Sequence, residues 1–69
     1  MRTLRQINAV YEKILCSDMN ERVKKKKFAS LIREIKKDYH IPLIINKDWE
    51  QDHLEVMALY RKIEISRDS

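Results

Sequence analysis

No glycine occurs anywhere in the 69 residues, and that absence removes more folds than any residue present. Tight β-hairpins lean on glycine for positive φ. P-loops and dinucleotide-binding turns need it so that backbone can approach a phosphate. All-β architectures therefore fit poorly, and glycine-rich phosphate cradles are excluded. What remains, 43% hydrophobic and 38% charged residues with one proline and few aromatics, is the composition of a helix-rich chain. A chain this short is one domain at most and buries only about 60% of the surface it exposes when unfolded.

Three segments carry helical periodicity. Leu4, Ile7, Val10, Tyr11, Ile14 and Leu15 recur at three- and four-residue steps, with Arg2, Arg5, Glu12 and Lys13 opposite, which predicts a helix over 2–16. Ser17 and Asp18 break that pattern. Asp18 and Glu21 have the spacing of a capping box, so a second helix is expected over 19–39, with Phe28, Leu31, Ile32, Ile35 and Tyr39 as its inner stripe. Pro42 disfavours helical backbone at Ile41 and ends it. Asp52 and Glu55 repeat the capping spacing, which starts a third helix near His53 that runs to Ser66.

Between these helices lies 40–51, a stretch too apolar for a solvated linker. As a strand it has no partner to satisfy its ladder. It is expected instead as a buried connector in which Leu43, Ile44 or Ile45 and Trp49 cover the open end of a helical hairpin. The expected fold is all-α. It is a small three-helix bundle, a helical hairpin plus a third helix after the apolar connector, forming a single domain over 1–69.

The third helix has apolar residues on two sides. Val56, Leu59, Tyr60 and Ile63 form one arc, while Leu54, Ala58 and Ile65 fall on roughly the opposite one. A single hairpin cannot cover both, so the second arc is expected to meet another chain, and a bundle of this size gains from a homodimer. Trp49, Leu54, Ala58 and Ile65 are the expected partner interface. A lone tryptophan in a connector reads either as a core plug or as an interface anchor.

Fifteen Lys and Arg against eleven Asp and Glu give +4, and the charge is polarised. Residues 21–37 carry eight basic and two acidic side chains, residues 46–69 four basic and six acidic. On the second helix Arg22, Lys26, Arg33 and Lys37 fall within about 60° of one another, with Lys36 beside them. Like charges four residues apart destabilise an isolated helix by roughly 0.2–0.5 kcal/mol per pair, so the stripe opposes local stability. Three readings follow. The stripe is a solvated face, a face that neutralises nucleic-acid phosphates with little sequence information, or a face docked on Asp48, Glu50, Asp52 and Glu55 of a second subunit. A helix-turn-helix fits less well, because the turn lengths are wrong and the reading helix would be the acidic one.

Catalytic and metal chemistry find little support. Cys16, His40 and His53 are the only thiol and imidazoles, and their spacings match no metal-ligand pattern. His40 fits the negative end of the second helix and His53 the first turn of the third. A lone cysteine forms no internal disulfide, which points to a reducing cytosol. No apolar run approaches the roughly 18–20 residues of a membrane span, and charged residues interrupt any signal-peptide core before Cys16. The apolar stripe of the second helix is needed to cover the first, so membrane contact is not expected. The sequence thus predicts a cytoplasmic, non-enzymatic protein acting by protein–protein interaction in a regulatory role, with no cofactor and no small-molecule substrate. Its alternative is non-specific nucleic-acid binding by Arg22, Lys26, Arg33, Lys36 and Lys37.

Overall fold

Four helices, not three, make up the computed structural model, which describes residues 1–68. They are α1 (Leu4–Leu15), α2 (Glu21–Asp38), α3 (Lys47–Asp52) and α4 (Leu54–Asp68), and no strand occurs among the described residues. The apolar arcs of the three long helices meet in one core. Ile7, Tyr11 and Ile14 come from α1, Phe28, Leu31, Ile32 and Ile35 from α2, and Val56, Met57, Leu59, Tyr60 and Ile63 from α4. One isoleucine from each long helix, Ile7, Ile35 and Ile63, is completely buried. Each such side chain contributes about 1.5–3 kcal/mol relative to exposure. The longest helix, α2, packs against both α1 and α4, most extensively against α4. Tyr11 packs tilted against Phe28 at 5.5 Å, and its hydroxyl pairs with that of Ser66 at 2.6 Å, tying α1 to the last turns of α4.

Helix starts are set by side chains that accept orphan amides. Thr3 caps α1 in a reciprocal box: Gln6 N–H donates to Thr3 Oγ1 at 3.1 Å and Thr3 N–H donates to Gln6 Oε1 at 2.9 Å. This box delays the helix to Leu4. At α2 the expected cap, Asp18, is displaced by Asn20, whose Oδ1 accepts from Val23 N–H at 2.9 Å. The displacement follows from Met19. Its side chain packs on the core, and a turn held by Ser17 Oγ donating to the Ile14 carbonyl at 2.7 Å brings it there before the helix can begin.

At the other end of α2, His40 adopts φ 55°. Ile41 N–H donates to the Lys36 carbonyl at 3.2 Å, the six-to-one bond of a Schellman motif, and Ile41 packs on the core as that motif favours. Glycine usually fills this left-handed position. In a chain that has none, histidine takes it, being one of the non-glycine residues enriched there.

The connector departs most from expectation. Its apolar residues divide: Ile41, Ile45 and Trp49 pack on the core, whereas Leu43 is fully exposed and Ile44 is 85% exposed. The cause is α3. Asn46 Oδ1 accepts from Trp49 N–H at 2.7 Å and opens a six-residue helix, which turns Trp49 rather than Leu43 or Ile44 toward the core. Asp52 is the last residue of α3 and not the cap of the following helix. A single residue, His53, separates α3 from α4. Its ring stacks on Trp49 at 4.0 Å between centroids, and its Nδ1 donates to the Trp49 carbonyl at 2.9 Å.

Candidate functional surfaces

The basic stripe is present as a solvent-facing surface. Arg22, Lys26, Arg33, Lys36 and Lys37 all lie on α2 and all are exposed. Lys36 Nζ sits 5.8 Å from the Tyr60 ring centre, a cation–π contact that links the stripe to α4. Among the described residues, Arg22, Lys26, Arg33 and Lys37 enter no ion pair. Three arginines elsewhere do, while Arg5 does not: Arg2 forks onto Glu34, Arg61 meets Glu50, and Arg67 reaches Glu64 at 4.0 Å and Asp68 at 3.2 Å. In the Arg2 fork the hydrogen bond to the guanidinium holds the Glu34 carboxyl below its usual range. The same bond raises Arg2. Tyr39 closes this corner by donating its hydroxyl to the Arg2 carbonyl at 2.9 Å.

The outer face of α4 carries the second set. Leu54 is 68% and Ile65 70% exposed, and Ala58 between them is exposed as well. Leu54, Ala58 and Ile65 fall within about 40° of one another at helical spacing, with the exposed Arg61 on the same side. Trp49 is not part of that face. It is half-buried, packed between the core and His53. The acidic residues around α3 are drawn inward in part, since Glu50 pairs with Arg61, while Asp48, Asp52 and Glu55 are exposed.

A cleft of about 440 Å³ opens between α1 and α2, floored by Val10, Ile14, Met19 and Leu31 and edged by Lys13 and Lys27. No carboxylate, thiol or imidazole lines it. A shallower one of about 370 Å³ lies between α1 and α4, where Ala58 and Leu59 face Leu4 and Asn8. Cys16 follows the end of α1, His40 follows the end of α2, and His53 lies between α3 and α4. No group of three His, Cys, Asp or Glu side chains suited to a metal ion occurs among the described residues. No described helix is long and apolar enough to cross a membrane.

Sequence reasoning found both surfaces but missed the exposed pair Leu43–Ile44. The signal was there in part: in a run of consecutive aliphatics, side chains cannot all point the same way, so some face solvent unless both sides are covered. No known protein family, curated protein sequence or solved structure matches this chain.

Proposed function

We propose that this chain is a small cytoplasmic, non-enzymatic binding protein that acts by protein–protein contact in a regulatory role, with self-association through α4 as its primary contact. The observation that carries the reading is the exposure of Leu54 and Ile65 on one face of a helix whose other face is fully committed to the core. Exposed apolar surface marks partner sites where it is contiguous, and Leu54, Ala58 and Ile65 share one face of α4. Two copies placing these faces together would join a bundle of three long helices into a six-helix assembly.

Sedimentation equilibrium tests this with the wild type beside Leu54→Asp/Ile65→Asp. The expected result is a wild-type mass of two chains and a variant mass of one, with unchanged helical circular dichroism. Equal single-chain masses for both proteins across the concentration range remove self-association through this face.

A second reading is favoured by the four stripe cations that lack ion pairs: non-specific nucleic-acid binding by Arg22, Lys26, Arg33, Lys36 and Lys37. Counterion release would make such binding fall steeply with salt. Fluorescence anisotropy with duplex DNA and single-stranded RNA across a salt series, beside a variant with Arg22, Lys26, Arg33 and Lys37 changed to Gln, separates the two. Binding that vanishes in the Gln variant supports this reading, and none at low salt ends it.

A further inference from the structure

Leu43 and Ile44 have neighbours on almost no side, so they project from the bend that joins α2 to α3. Basic residues bracket them in sequence. Arg33, Lys36 and Lys37 occupy the last turns of α2, Lys47 opens α3, and all four are exposed. The acidic residues of the same stretch offset them only partly. Glu34 is already held by Arg2, which leaves Asp38 and Asp48 against four cations. The result is a projecting aliphatic pair on a stretch of chain whose charge is net positive.

We propose that this tip is a peripheral anchor for an anionic lipid surface, in which Leu43 and Ile44 enter the headgroup–acyl boundary while Arg33, Lys36, Lys37 and Lys47 contact lipid phosphates. Membrane-surface binding needs both parts, because a small apolar insertion is weak by itself and basic residues add attraction to anionic headgroups. Two other occupants fit less well. A second copy held at this tip alone would gain far less than the roughly 800 Å² per partner of a stable protein interface, since only two side chains project. A polynucleotide would engage the cations and leave the two projecting aliphatic side chains in water. The apolar stripe of α2 takes no part. Phe28, Leu31, Ile32 and Ile35 are committed to the core.

Vesicle co-sedimentation of the full chain tests the assignment, comparing phosphatidylcholine vesicles with vesicles that also contain phosphatidylserine. The wild type is expected to partition onto the anionic vesicles about tenfold or more tighter than onto the neutral ones. Leu43→Asp/Ile44→Asp removes that partitioning, and because both side chains are exposed its thermal melt stays at the wild-type value. Arg33→Gln/Lys36→Gln/Lys37→Gln reduces the preference for anionic lipid. Two results overturn the proposal: no partitioning at low salt, or partitioning that survives Leu43→Asp/Ile44→Asp, which would assign it to the basic stripe. A wild-type mass that drops from two chains to one in Leu43→Asp/Ile44→Asp also overturns it, by assigning the tip to a second copy. Since Leu54 and Ile65 are unchanged in these variants, failure here leaves the α4 reading standing.

Discussion

The two connections at the ends of α2 solve the same problem in opposite ways. Between α1 and α2 the chain reverses over 16–20, packs the half-buried Met19 against the core and satisfies its polar groups with Ser17 and Asn20. Between α2 and α3 it turns through a left-handed His40, anchors Ile41 and Ile45, and lets Leu43 and Ile44 stand in water. The first connection packs its one large apolar side chain against the core and presents it to solvent only as part of the floor of the α1–α2 cleft. The second retains two apolar side chains that contribute no packing to the bundle, and surface of that kind is what binding uses.

The difference is sharpest in aspartate substitutions. Met19→Asp should destabilise the bundle by about 2 kcal/mol, because it removes packing and places a charge against the core. Leu43→Asp should leave stability within about 0.5 kcal/mol of wild type. Urea melts of the two variants check both, and a Leu43→Asp loss as large as that of Met19→Asp would show that the tip packs against something. Asn20→Ala comes next, with a loss of about 1 kcal/mol from the orphaned Val23 amide, read in the same melts. His40→Gly should move stability the other way. Relief of the left-handed cost, partly offset by the greater freedom of glycine when unfolded, gives a gain of about 0.5–1 kcal/mol.

The smallest expected effect belongs to Glu34→Gln, which opens the Arg2 fork. A carboxyl held below its usual range adds stability that is fully present above the ordinary glutamate value near ~4.3 and fades as pH falls through the lowered value in the folded state. The wild type should therefore exceed Glu34→Gln slightly in thermal midpoint at neutral pH, and the two should converge at strongly acid pH. The exposed position of Arg2 keeps the difference small.

Periodicity made the buried faces legible. Ile7, Tyr11 and Ile14, then Phe28, Leu31, Ile32 and Ile35, and then Val56, Leu59, Tyr60 and Ile63 lie in the core, with Leu4, Val10 and Tyr39 packed against it, because a 3.6-residue rhythm over many turns has one structural meaning. Leu15, read onto the first arc, is instead 46% exposed at the end of α1. The exposed Leu54, Ala58 and Ile65, and the stripe from Arg22 to Lys37, were legible by the same angular arithmetic. Caps were less so. Asp18 and Asn20 both suit an N-cap, and the choice follows the packing of Met19 against the core, a tertiary event. The connector was least legible. Five apolar residues in a row carry no period, so which of Ile41, Leu43, Ile44 and Ile45 would be covered depended on α3, and α3 depends on Asn46 capping a helix too short to announce itself.

The stacking of Trp49 on His53 gives the protein a built-in optical probe. Because the chain has a single indole, all of its tryptophan emission comes from the joint between α3 and α4, while the far-ultraviolet signal averages every helix. The α3 helix is short and has no fully buried residue, so this joint sits at the low-stability end of the fold. Under gentle heating the emission should change before the helical signal does, and the interval between the two transitions measures how independently the joint opens.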